Sequence, residues 1–395
     1  MPIPMRARLL ATSAVLGATL IGAAGAAAHE HHHRGRHARR LSSGQFSASV
    51  FAQGASISHP TAGGSAAVSK PDDITYLHDR IFVAFQNGVG AQGEASASGN
   101  GDSTIVEFSR SGQELAQWDI TGKCDGLAAD PQTGQLIATV NEDANSSVYL
   151  IDPHPGSTPV DYQYSQPLPS AGGTDAVSVY HGTVLISASA PGTTAPAGTT
   201  VPQASYPAVY AVWFDANSHT AYVNGLFGDE APALVANTDS TSFGSLQSLA
   251  LTDPDSNAVV PAYARRFGGD FMLNSQGDQQ QIFYRDPWQP PSVLSLSAAV
   301  DDTAWPSGRG GVLYVTDNSA DQIIAVTGPF QTGSEIVAVT PCGSNSAPAS
   351  CPAPGYPADY LGSVDPGTGA ISQLALSGPS FAPHGLLFVP GREHR

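Results

Sequence analysis

One short pattern recurs along this chain and limits what it can fold into. A polar or acidic start leads into alternating apolar positions, then a Gly/Asp/Pro turn and a second apolar run. It appears as Asp72-Asp73-Ile74-Thr75-Tyr76-Leu77, Asp125-Gly126-Leu127-Ala128-Ala129-Asp130 and Asp175-Ala176-Val177-Ser178-Val179-Tyr180. It returns as Gln247-Ser248-Leu249-Ala250-Leu251-Thr252, Asp301-Asp302-Thr303-Ala304-Trp305 and His384-Gly385-Leu386-Leu387-Phe388-Val389. With starts at 72, 125, 175, 247, 301 and 384, the intervals are 53, 50, 72, 54 and 83 residues. Repetition on this scale is the mark of a propeller or a repeat array.

The second copy shows the plan of one unit. Leu127–Ala129 reads as an inner strand and Asp130-Pro131-Gln132-Thr133-Gly134 as a turn set by its Pro and Gly. Leu136–Val140, the polar loop Asn141–Asn145, Val148–Ile151 and an outer run Tyr162–Tyr164 complete it. The fifth copy matches, with Val312–Thr316, the loop Asp317–Asp321 and Gln322–Val326. Two long intervals hold insertions, Pro191–Pro207 and the Cys-bracketed stretch through Pro357. The last copy starts too close to the chain end to build a whole sheet, so strands near 45–58 are expected to complete it. The expected fold is all-β: a single β-propeller of six blades, closed by pairing of the N- and C-terminal strands. Seven blades result if Glu335–Val339 hides a weak one. No long stretch of helical period interrupts the body.

The ends and the charge add to this. Arg6 and Arg8 precede an apolar run from Leu9 to Ala23, and Ala26-Ala27-Ala28 offers a cleavage site, so 1–28 is expected to be a signal peptide. Residues 29–44, rich in His and Arg, read as a disordered tail, and 45–395 as the propeller domain. The HExxH match within the tail lacks the helix that would put both imidazoles on one face. Of 16 Lys+Arg, ten lie beyond residue 40, against 32 of the 33 acids, leaving the body near −22. Such a surface repels nucleic acid and favours cations. The expected protein is secreted and monomeric, without an integral membrane segment after cleavage, and it meets a small molecule or a cell-exterior partner. Cys342 and Cys351 bracket a short loop and are expected to form a disulfide, whereas Cys124 reads as a buried free thiol.

In a propeller the first strand of each blade lines the axis, so equivalent positions of the six copies face one channel. This gives a column of Asp72, Asp125, Asp175, Gln247, Asp301 and His384. Two readings stand beside each other. The acids hold a divalent cation such as calcium, because clustered carboxylates repel unless a cation or protons intervene. Alternatively they cap backbone N–H groups and hold neighbouring blades together. The loops Gln86-Asn87, Asn141-Glu142-Asp143 and Asp317-Asn318 are expected on the same face. The four tryptophans, Trp118, Trp213, Trp288 and Trp305, read as core packing or blade contacts.

The stretches Asp125-Gly126-Leu127-Ala128-Ala129-Asp130-Pro131, Gly311–Asn318 and Pro383-His384-Gly385-Leu386 resemble the repeats of NHL-type six-bladed propellers and of the related SMP-30/gluconolactonase group. That resemblance implies a divalent cation at one channel mouth, with Asp125 in the place of the family Asn and Asp317 as the Asp after the Tyr-Val-Thr strand. The metal set it suggests, combined with the column, is Asp125, Asp175, Asp301 and Asp317. The family's first-blade Glu has no counterpart, since the equivalent strand ends in Phe85-Gln86-Asn87. No nucleophile elbow, P-loop or dinucleotide fingerprint is present. Two functions follow: a secreted propeller that binds a ligand or divalent cation at its polar mouth, or a metal-dependent lactonase or esterase using Asp317 or His384 as base.

Overall fold

Short turns and two-sided burial shape the strands. His78-Asp79 takes positive φ at both residues, 49° and 64°, and His181-Gly182 repeats this at 50° and 78°. Both are two-residue hairpin turns whose twist suits the antiparallel strands they join. Ile81–Phe85 is buried at every position, as expected of a strand covered on both faces. The computed structural model describes residues 45–61, 63–168, 173–191, 206–345, 347–351 and 358–391. The expected signal peptide and tail lie outside these residues, as does most of the Pro191–Pro207 insertion.

The chain opens with β1 (Phe46–Gln53) and a ribbon of β2 (Ser58–Thr61) and β3 (Gly64–Ala67). The first blade follows as β4 (Pro71–Leu77), β5 (Arg80–Phe85), β6 (Asp102–Phe108) and β7 (Glu114–Thr121). The second is β8 (Cys124–Asp130), β9 (Gln135–Val140), β10 (Ser147–Ile151) and β11 (Val160–Tyr164). The third is β12 (Thr174–Tyr180), β13 (Thr183–Ala188), β14 (Pro207–Asp215) and β15 (Thr220–Gly228), and parallel pairing of β11 with β15 stitches these two blades at their rims. Next come β16 (Pro232–Val235) and β17 (Leu246–Ser248), which extend the outer edge of the fourth blade. Its main strands are β18 (Pro254–Val259), β19 (Phe271–Ser275), β20 (Gln280–Tyr284) and β21 (Ser292–Ser295).

The last two blades interlace. After β22 (Val300–Ala304), the inner strand of the fifth blade, the chain crosses to build β23 (Gly311–Asp317) and β24 (Gln322–Thr327) of the sixth. It returns for β25 (Glu335–Val339), β26 (Tyr360–Val364) and β27 (Ile371–Gln373), completing the order β22-β25-β26-β27. It then adds β28 (Leu376–Ser377) and β29 (Leu386–Pro390) to the sixth, whose order is β28-β1-β24-β23-β29. The hairpin 311–327, read above as the middle of the fifth copy, therefore belongs to the neighbouring sheet. Glu335–Val339, the stretch weighed as a seventh blade, is the second strand of the fifth. The fold is an all-β propeller of six blades. The first and last described strands lie in one sheet, where β1 pairs with β28 and β24 while β29 pairs with β23.

Six wedges of apolar side chains fill the spaces between neighbouring blades. Phe82, Trp118 and Ile120 meet Leu127, Leu136 and Ile151 between the first and second. Ile81, Phe85 and Phe108 meet Tyr314, Ile323 and Val389 between the sixth and first, which closes the circle. Fully burying one such aromatic or branched side chain contributes about 1.5–3 kcal/mol. Trp118 and Trp305 belong to these wedges, but Trp213 and Trp288 are 53% and 90% exposed, contrary to the expectation of core packing. Cys342 and Cys351 are joined in a disulfide, and Cys124 is a buried free thiol.

Candidate functional site

The inner strands share one irregularity. β4, β8, β12, β18 and β22 each carry a register shift near their start, between Pro71 and Ile74, Cys124 and Leu127, Thr174 and Val177, Pro254 and Ser256, and Val300 and Thr303. A bulge breaks the strict in–out alternation and re-aims a side chain. The residues within these shifts include Asp72, Asp125, Asp175, Asp255 and Asp301. With His384, which just precedes β29, they line a chamber of about 330 Å³ at one channel mouth. Five of the six column positions expected from sequence come together in this way. Gln247 does not: it lies exposed on β17, the outermost strand of its sheet, and Asp255 takes its place. Gln247–Leu251 has the alternation of an inner strand, but the inner strand of the fourth blade starts eight residues later, at Pro254-Asp255.

The second residue of the acidic pairs has a different task. Asp73 accepts hydrogen bonds from the Ile74 N–H at 2.7 Å and, across the blade junction, from the Leu127 N–H at 2.6 Å. Asp302 does the same with Thr303 at 2.6 Å and Leu386 at 2.6 Å. The other four junctions are clasped as well. Thr139 donates to the Asp175 carbonyl, Asn257 to Ala176 at 2.8 Å, Asn274 to Val300 and Thr316 to Asp72 at 2.5 Å. The two readings of the acids thus apply to different residues of the same bulges. Asp73 and Asp302 border the chamber but spend their carboxyl groups on backbone N–H ties between blades, whereas Asp72, Asp125, Asp175, Asp255 and Asp301 line it without such ties.

One side of the chamber concentrates charge. Asn141, at φ 67°, opens the loop after β9, and its backbone and side chain both bond Lys123. This fixes Lys123 beside Glu142. The Lys123 ammonium lies 3.0 Å from Asp125 Oδ1 and contacts Glu142 Oε1 more closely. Gln86 donates to the same Asp125 oxygen at 3.1 Å. The other oxygen, Asp125 Oδ2, is buried without a hydrogen-bond partner, and Asp125 itself is only 9% exposed. Oxygens of Asp125, Glu142 and Asp175 lie within 4.8 Å of one another. Hard oxygen donors and an orphaned buried oxygen fit a hard divalent cation such as calcium or magnesium. Of the expected set, Asp125 and Asp175 come together here among the described residues, joined by Glu142. Asp301 lies with His384 instead, and Asp317 spends both oxygens on Ser319, Ala320 and Gln322 in the β23–β24 turn. Glu142 was legible only as a member of a polar loop.

The opposite side is a paired wall. His384 Nδ1 lies 3.2 Å from Asp301 Oδ2, and Gln276 donates to Asp301 Oδ1 at 3.0 Å. Burial alone would lower the His384 pKa, but the Asp301 carboxylate outweighs it and raises it to about 9. Burial pushes Asp301 up, yet His384, Asp255 and Gln276 together hold it below the usual carboxylate range. Burial raises the remaining acids, with like charges adding to it: Asp72 to about 6, and Asp125, Asp175 and Asp255 well above the ordinary value. Asp73, Asn257 and Asp302 also border a second space of about 380 Å³, whose lining includes Thr75, Asp130, Gln132, Ser178 and His181 beside apolar residues.

No protein-family model matches the chain, and no curated protein matches it. Solved structures with a similar fold include the Pseudomonas aeruginosa periplasmic gluconolactonase, at 15% identity and TM-score 0.40 over 82% of this chain and 89% of that one. A streptogramin B lyase aligns at 12% identity and TM-score 0.40 over 87% of this chain and 95% of its own. The β-propeller domain of Myceliophteria thermophila Cps50 aligns at 10% identity and TM-score 0.35, over 69% and 80%. Among the described residues no helix is long and apolar enough to cross a membrane.

Proposed function

We propose that this propeller binds a divalent cation at its acidic mouth, through Asp125, Glu142 and Asp175, and acts outside the cytoplasm as a ligand-binding protein. The observation that carries the reading is the convergence of three carboxylates with one buried oxygen left unpartnered. The apolar N-terminal run and the Cys342–Cys351 pair support the location. Calcium titrated into the full chain by calorimetry is expected to bind saturably and to raise the melting temperature, with EDTA reversing the rise. Asp175→Asn is expected to weaken binding at least tenfold. If calcium, magnesium and manganese all leave heat and melting unchanged, the reading is wrong.

A second reading, a lactone- or ester-hydrolase of the SMP-30 type, draws on the His384–Asp301 pair across the chamber. A bound cation would supply polarisation of a carbonyl. His384, held protonated near neutral pH, suits a hydrogen-bond donor to developing negative charge better than a base. Asp317 is occupied in its turn. The base would then fall to Asp72, raised to about 6 and facing the chamber. Turnover of a lactone and ester panel that is lost in Asp72→Asn, with the fold intact, is the result this reading requires.

A further inference from the structure

We infer that Lys123 is a built-in competitor for the cation site and sets its preference for divalent over monovalent ions. The inference rests on the cation reading above and adds a residue that decides specificity. Lys123 Nζ already sits on two of the three carboxylates, 3.0 Å from Asp125 Oδ1 and closer to Glu142 Oε1. Its position is built rather than accidental. The Lys123 backbone is pinned to Asn141 at both N–H and C=O, and the side chain is only 17% exposed. A lysine carries its charge at any physiological pH. The triad is therefore already served by one tethered positive charge.

An incoming ion must displace that ammonium. A monovalent ion brings the same charge to the same oxygens, gains nothing by Coulomb's law, and competes against a group held at high local concentration. A divalent ion brings twice the charge, engages Asp175 as well, and reaches the oxygen of Asp125 that Lys123 leaves unpartnered. The displaced ammonium has a carboxylate to move to, since Asp72 lines the same chamber. The site thus rejects sodium, potassium and simple ammonium ions while accepting calcium-like ions at reduced affinity.

The test is calcium calorimetry on the full chain and on Lys123→Met, which keeps most of the apolar stem and removes the charge. Calcium affinity is expected to rise about 10–100-fold in the variant, the lower end of the couplings known for close charge pairs. Sodium chloride is expected to compete with calcium in Lys123→Met, where no tethered charge holds the carboxylates, whereas tetramethylammonium chloride at the same ionic strength, too bulky to reach them, does not. In the parent chain neither salt competes beyond its ionic strength. If Lys123→Met fails to fold, Lys123→Gln carries the same comparison. Calcium binding that is equal or weaker in the charge-free variant overturns the inference and leaves the cation reading standing. Calcium binding by neither protein overturns both.

Discussion

Asp302→Ala tests the blade clasp and its electrostatics together. The Asp302 carboxyl accepts two buried N–H groups, Thr303 at 2.6 Å and Leu386 at 2.6 Å, the second across the junction of the fifth and sixth blades. Alanine orphans both, at about 1–3 kcal/mol each, so roughly 2–6 kcal/mol is lost where the parent side chain is protonated. The pH dependence fixes the sign. Burial, opposed by those two bonds, raises Asp302 from 3.8 to about 7, so the native state holds a proton that the unfolded chain has released. Parent stability from this group is complete at acid pH and falls as pH rises from about 4 to 7. Up to ~4 kcal/mol is involved, at 1.36 kcal/mol for each pKa unit. The variant lacks this slope. Urea unfolding of both proteins at pH 4.5, 6 and 8 should show a wide gap at pH 4.5 that closes by pH 8, with an unchanged m-value. A gap that widens with pH, or none at pH 4.5, refutes the argument.

Three further outcomes follow from the same geometry. His384 is raised to about 9, so its pairing with Asp301 stabilises fully below the ordinary histidine range and is lost as pH climbs through 9. A parent melting temperature that drops between pH 7 and 10, with the drop reduced in His384→Ala, would bear this out. Replacing Cys342 and Cys351 by Ser should cost roughly 2–3 kcal/mol in denaturant unfolding, the chain-entropy value for so short a loop. Cys124 is 0% exposed and its thiol is pushed well up by burial, so Ellman's reagent should stay colourless with the native chain and react once it is unfolded.

The sequence carried the blade count because each blade repeats a local grammar of turn, strand and polar loop. The Asp130–Gly134 turn advertises a hairpin without reference to the rest of the chain. The column was readable for the same reason at Asp72, Asp125, Asp175, Asp301 and His384. It slipped at Gln247 because β17, an exposed edge strand, alternates as well as an inner strand does, and periodicity alone does not report depth. Strand partners were harder. Nothing local in Val312–Thr316 says whether it pairs with β22 or with β29, since that choice is made by packing against residues some seventy positions away. The Lys123–Glu142 contact was hidden likewise, because it depends on a left-handed Asn141 that draws the two ends of a hairpin together.

The crossing of β22–β29 between two sheets also dictates the order of assembly during synthesis. When the ribosome has made residue 330, the fifth sheet exists only as a lone first strand, while the sixth already has three of its strands, β1, β23 and β24. Neither can be finished until the chain has gone back and forth once more, and the sixth waits for Leu386–Pro390. A prematurely terminated chain therefore retains two incomplete sheets side by side, with no smaller closed wheel to fall back on. Completion of the ring thereby couples the last two sheets, so that neither matures alone.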